Sequence, residues 1–272
     1  MKNKIQLLCC DLDGTLLNEH HALSEKTIAT VQKLQAKDIR MTFCSGRAPA
    51  MLDLFLKQLR VDTYLACNGA LLMNKKEIIK GQPMATGVVA KLKQYCDARL
   101  MDYCLITDRK VYFSEQSERI EKFRKYNLLA EKHQVQPIPL HLIDGQFRLA
   151  EHTIYKMLVH ELRPSELQEM QVWMEQLNDL SCTNSEAKLL DLGAGGVSKG
   201  SGLKALAEYY GLSRDQICVF GDWYNDSSMF DYAGFSVAME NACDALKEQA
   251  DWITKSNQED GVAWAIEQLF LG

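Results

Sequence analysis

The sequence contains no run near the about eighteen consecutive apolar residues that a membrane-spanning helix requires, which excludes a helical span. It has no basic block either. With 31 Lys and Arg against 36 Asp and Glu, a net charge of −5, the electrostatic footprint of a nucleic-acid or anionic-membrane partner is missing, and a small-molecule partner is indicated. No Cys-x-x-Cys spacing occurs among the nine cysteines, an odd number lying mostly in apolar strand-like runs. Reduced core cysteines of a cytoplasmic protein are therefore expected rather than a disulfide framework. The six histidines show no metal-ligand spacing, so nothing points to zinc, and His20-His21 read as part of a solvated loop. The N-terminus is basic and then apolar, but its apolar run is too short for a secretory signal and stops at two acids. Internal repeats and low-complexity tracts are absent as well.

What is present is the mix of a soluble globular protein, 47% hydrophobic and 25% charged, with length enough at 272 residues for two domains. The most informative stretch is Ile5–Leu17. An apolar run of strand length delivers Asp11 and Asp13 onto a turn opened by Gly14, where a buried parallel strand would end and where open α/β sheets bind ligands. Acids one residue apart in an extended segment point different ways, which suits one that attacks or binds metal and one that moves protons.

A helix capped by Ser24 and a strand at Ile39–Cys44 complete a β-α-β unit, and Thr63–Cys67 reads as a third strand after a helical stretch near Ala48–Gln58. Leu71–Met73 and Glu77–Ile79 read as a hairpin. From about Pro83 clustered strands with helices on one side indicate an α+β insert, in which Asp108-Arg109 makes a hairpin turn and Met170, Trp173, Met174 and Leu177 form a core stripe. Alternation resumes with a core strand at Lys188–Leu192, a helix from Ser198 closed by Gly211, and strands at Ile217–Phe220 and Phe235–Ala238. The expected fold is α/β, a doubly wound parallel sheet formed by residues 1–82 and 188–272 with an α+β domain inserted at 83–187.

Four polar groups fall at the C-terminal ends of separate core strands or at the start of the following helix: Asp11/Asp13, Ser45-Gly46, Lys199, and Asp222/Asn225/Asp226. In a parallel sheet those ends converge on one edge. Carboxylates of Asp11 and Asp222, with a main-chain carbonyl near Asp13, are hard oxygen ligands of the kind Mg²⁺ prefers. Ser45, main-chain N–H groups at Gly46, Lys199 and Asn225 would hold a dianion beside it.

Asp11-Leu12-Asp13-Gly14-Thr15, Ser45-Gly46-Arg47, Ser198-Lys199-Gly200 and Gly221-Asp222-Trp223-Tyr224-Asn225-Asp226 resemble, in order and spacing, the four motifs of the haloacid dehalogenase superfamily of phosphatases. Asn68-Gly69-Ala70, Ala238–Ala242 and Gly261-Val262-Ala263 resemble further signatures of its Cof-like subgroup, whose large α/β cap is inserted between the second and third motifs. The resemblance implies a Rossmann-like core, a phosphatase of small phosphorylated metabolites such as sugar phosphates, and catalysis through an aspartyl phosphate. It implies Asp11 as nucleophile and Asp13 as acid and base, with Mg²⁺ bound by Asp11, the Asp13 carbonyl and Asp222 and supported by Asp226. It implies phosphate held by the Leu12 main chain, Ser45, Gly46, Lys199 and Asn225. Arg47 and Asn68 are possible substrate contacts. Asp191 stands where the subgroup often has glutamate; Lys156 reads as an exposed sheet lysine or, alternatively, as one that faces the core and contacts the leaving group, and Trp223-Tyr224 either wall the pocket or pack, packing being the default. Two other readings share the motifs: a phosphomutase with the same nucleophile, and a non-catalytic phosphometabolite sensor.

Overall fold

The computed structural model describes residues 4–161, 163–186 and 188–272. Two compact units emerge: one from the described residues up to Ser45 with Phe55–Lys80 and Ser198–Gly272, the other from Gly46–Leu54 with Gly81–Val197.

The first unit begins with β1 (Leu7–Cys10), fully buried because every side chain of this short apolar run faces a covered surface. Helix α1 (Glu25–Gln35) starts where the Ser24 side chain accepts a hydrogen bond from the Thr27 N–H, and it returns the chain to β2 (Arg40–Phe43). After α2 (Asp53–Leu59), strand β3 (Thr63–Ala66) makes one parallel bridge to the end of β2, Cys44 to Leu65. It then pairs antiparallel with β4 (Leu71–Asn74), and β5 (Glu77–Gly81) completes a separate three-stranded sheet. The expected third strand of the main sheet thus touches it only at its edge, because β3 is drawn into the hairpin that follows.

The second unit is built on a six-stranded sheet. Its chain runs through α3 (Thr86–Ala98), β6 (Asp102–Ile106), β7 (Val111–Phe113), α4 (Ile120–Lys132), β8 (Leu140–Leu142), β9 (Lys156–His160), α5 (Pro164–Met174), β10 (Leu180–Glu186) and β11 (Leu189–Ala194), with spatial order β10-β11-β9-β6-β7-β8. Thr107 closes the β6–β7 turn by accepting from the N–H groups of Arg109 and Lys110. Met157 and Val159 of β9 pack with Val89, Leu92 and Tyr95 of α3 and Met170 and Met174 of α5, so the stripe on α5 is core. Strand β11 corrects the sequence reading. Lys188–Leu192 was expected to return to the core, yet β11 pairs antiparallel with β9 and β10, and the return comes after Val197. A strand buried along its whole length and apolar but for Asp191 is compatible with any sheet buried on both faces, so its pattern does not choose between two such sheets.

The first unit resumes with α6 (Lys199–Tyr210), bounded by a reciprocal Ser198–Ser201 capping pair and by Gly211 in the left-handed region at φ 66°. Then come β12 (Ile217–Gly221), α7 (Ser227–Tyr232), β13 (Phe235–Ala238), α8 (Asp244–Gln249), β14 (Trp252–Ile253) and α9 (Gly261–Ile266). The main sheet is parallel throughout in the order β14-β13-β12-β1-β2. Strand β1, flanked by β12 and β2, therefore brings Asp11 between the ends of two neighbours. Among the described residues no helix is long and apolar enough to cross a membrane. Cys9, Cys10, Cys44, Cys67, Cys96, Cys104 and Cys218 are buried, while Cys182 is exposed.

Candidate active site

Asp11 follows β1 directly and its N–H continues the sheet by donating to the Phe220 carbonyl at 3.0 Å. The chain then turns sharply, with the Leu12 carbonyl accepting from the N–H groups of Thr15, Leu16 and Leu17. Gly14 makes this turn possible. Its φ is +82°, and a Cβ there would lie 2.2 Å from an Asp222 carboxylate oxygen, so both backbone and space require glycine. Thr15 Oγ1 donates to Asp222 Oδ1 at 2.6 Å, which ties the first motif to the last across 207 residues of chain.

Lys199 is the hub. As the first residue of α6 it is 1% exposed, and its Nζ lies 2.6 Å from both Asp11 Oδ1 and Asp226 Oδ1. Asp226, fully buried, uses its other oxygen to accept from the N–H groups of Asp222 and Trp223 at 2.9 and 3.1 Å. One carboxylate thus orients both the ammonium and the loop that carries Asp222. Gly221 permits this, since a Cβ there would meet the Asp226 side chain at 2.6 Å.

Burial pushes the Asp11 carboxyl well above the usual range; Lys199 offsets part of this, while Asp226 and Asp222 add to it. Asp222 is pushed up to about 7, first by burial and next by the charge of Asp226. For Lys199 burial works against the charge, but Asp11 and Asp226 outweigh it and the ammonium is held protonated. Asp11, Asp222 and Asp226 each offer an oxygen within 4.8 Å of the others. Lys199 sets one positive charge against these three carboxylates, and a divalent cation among their hard oxygens would balance the remainder. The donor set fits such an ion.

On the side expected to hold phosphate, Ser45 is buried and its backbone is fixed at both ends: its N–H donates to the Leu65 carbonyl and its carbonyl accepts from the Asn68 N–H, both at 3.0 Å. Asn68 sits in the left-handed region at φ 56° and accepts from Asn225 Nδ2 at 3.3 Å. In the first unit the structure therefore brings Asp11, Lys199, Asp222 and Asp226 into one network and joins Asn68 to Asn225. Gly46 and Arg47 belong to the second unit.

The family of haloacid dehalogenase-like hydrolases matches residues 8–266. The chain belongs to that family. Among relatives of this hydrolase, a 5-amino-6-(5-phospho-D-ribitylamino)uracil phosphatase of Bacillus subtilis is 28% identical over 293 residues, spanning 98% of this chain and 99% of the relative. A putative phosphatase of Haemophilus influenzae is 28% identical over 263 residues and spans 96% of each. A haloacid dehalogenase-like hydrolase from Bacteroides thetaiotaomicron, known from its crystal structure, has a TM-score of 0.85 and 27% identity, covering 98% of this chain and 100% of that one. The family and these relatives make the chain a phosphatase with a Rossmann-like core and a cap.

Several residues of this hydrolase depart from the sequence reading. Trp223 and Tyr224, for which packing was the default and walling the pocket the alternative, are 41% and 61% exposed and meet each other edge to face at 5.3 Å. A solvated loop around His21 is observed, but the His21 ring reaches Asp13 Oδ1 at 3.2 Å, a contact no motif announced. Lys156, expected on an exposed sheet face with a buried orientation as the alternative, is 4% exposed and ion-paired with buried Asp191. Thr15, quoted within the first motif without a role, holds Asp222. Its place next to Gly14 was the available signal.

Proposed function

We propose that this phosphatase is a Mg²⁺-dependent phosphomonoester hydrolase of small phosphorylated metabolites, with Asp11 as nucleophile. The observation that carries the reading is the buried Lys199 ammonium shared by Asp11 and Asp226. It pins the carboxylate at the strand end and supplies positive charge where an anionic phosphoryl group would meet an anionic attacker. Asp11, Asp222 and Asp226, with the Asp13 carbonyl, would hold Mg²⁺, which when bound supplies further charge neutralisation.

An Asp11 oxygen attacks phosphorus, the bond from phosphorus to the substrate oxygen breaks, and Asp13 gives its proton to the departing alkoxide. Water then attacks the aspartyl phosphate while Asp13 takes up a proton, and inorganic phosphate leaves with the Asp11 carboxylate restored. Asp13, with a side chain 40% exposed, has the solvent access that proton exchange between the two steps needs. The Leu12 and Gly46 N–H groups, the Ser45 hydroxyl, Lys199 and Asn225 hold the phosphoryl oxygens. Arg47 and Asn68 are the candidates to touch the rest of the substrate. The Bacillus subtilis relative's name makes the phosphate ester of a polyhydroxylated chain the first class to screen.

The test is hydrolysis of p-nitrophenyl phosphate by wild type and Asp11→Asn, before and after chelation. Activity that disappears with EDTA, returns with Mg²⁺ and falls by orders of magnitude in the variant is expected. Full activity in EDTA or in the variant overturns the reading.

A further inference from the structure

The second unit carries a buried ion pair that the site described above does not use. Lys156 and Asp191 lie diagonally on the paired strands β9 and β11, where Asp191 stands opposite Leu158 and Leu192 opposite Met157. Alternation along β9 turns Met157 and Val159 toward α3 and α5, and hence Lys156 and Leu158 toward the other face. There the side chains of Lys156 and Asp191 are 5% and 1% exposed. Among the described residues, Lys156 is the partner of Asp191, whose oxygens accept no further hydrogen bond. The ammonium has one more contact, a donated hydrogen bond of 2.8 Å to the carbonyl of Gly46.

An isolated buried pair is a poor source of stability, since desolvating both charges offsets much of their attraction. Its use lies in aiming a charged donor. Gly46 follows Ser45 directly and precedes Arg47, and a glycine between two such residues is the most easily rotated point of the turn. The Ser45 carbonyl is already fixed by the Asn68 N–H. Because N–H and C=O point opposite ways across a trans peptide, that bond fixes the direction of the Gly46 N–H, and a bond to the Gly46 carbonyl fixes that of the Arg47 N–H.

We propose that Lys156, held charged and aimed by Asp191, is a positioning residue that locks the Ser45-Gly46-Arg47 turn in its anion-binding shape. This rests on the reading of that turn as the phosphate site. Phosphate is held by the turn before and during reaction, so loosening it weakens substrate and inorganic phosphate alike and leaves kcat nearly unchanged.

The variants separate positioning from stability. Lys156→Met strands the Asp191 charge and lowers Tm. The double variant Lys156→Met/Asp191→Leu replaces the pair by apolar side chains and restores Tm, but still lacks the donor to Gly46. For the double variant we expect KM for p-nitrophenyl phosphate and the inhibition constant of inorganic phosphate to rise together, by about tenfold, the scale of one hydrogen bond from a charged group. Asp191→Glu, which keeps the charge pair, stays near wild type in both. Lys156→Gln/Asp191→Asn, neutral and one bond shorter in reach, should repeat the double variant's rise and serves if the apolar pair does not fold. Wild-type KM and inhibition constant in a folded pair variant overturn the inference. Absent turnover in the wild type itself overturns instead the phosphatase chemistry on which it rests.

Discussion

Asp222 shows at the level of one residue how the site trades stability for a charge. In the metal-free chain its carboxyl is pushed from 3.8 to about 7 by burial and by Asp226. Below about pH 4 both folded and unfolded chains hold the proton; between there and pH 7 the folded chain keeps a proton that the unfolded one has lost. As pH rises through that window the folded state loses about 4 kcal/mol at most from this group, and the loss is complete above pH 7. Asp222→Asn, which can still accept from Thr15, is therefore expected to raise the Tm of the metal-free protein at pH 8, with the gain shrinking steadily between pH 7 and pH 4. A lower Tm for the variant at pH 8 would show that the charge is stabilised by something other than metal. Residues such as Asp11, Lys199 and Asp222 were legible because each stands at a strand end or helix start, in order and at a recognisable spacing. Lys156 was not. Strand alternation reports which face a side chain takes, but not whether that face is covered, and Asp191, the partner that makes burial tolerable, lies 35 positions away.

At the level of elements, α6 places Lys199. Ser198 and Ser201 cap each other's backbone, so the helix begins at Lys199 and carries its side chain to Asp11 and Asp226. Ser198→Ala removes one partner of this box and is expected to lower stability by about 1 kcal/mol, read as a shift in the urea midpoint without change of slope. This boundary could be read from the sequence, since Ser198 and Gly211 are start and stop signals with local causes. Strand β11 could not be assigned to its sheet that way. Apart from Asp191 its run is apolar and satisfies either sheet, and long-range pairing to β9 decides the matter. Likewise β3 looked like another parallel strand until β4 competed for its edge.

For the whole molecule, a parallel sheet brings groups from residues 11, 199, 222 and 226 to one edge, which is why motifs scattered along 272 residues were readable as one site. The substrate is a different matter: on the proposed reading the motif residues would handle only the phosphoryl group, and selectivity would lie with side chains whose pattern in one sequence looks the same as core packing. The central claim is that Asp11 becomes phosphorylated during turnover. The most direct measurement is acid quench during steady-state hydrolysis with Mg²⁺, borohydride reduction of any acyl phosphate, and mass spectrometry of the peptide spanning Ile5–Leu17. The account predicts homoserine at position 11 and unmodified Asp13. Sustained turnover with an unmodified Asp11, or the reduced residue appearing at Asp13, would contradict it.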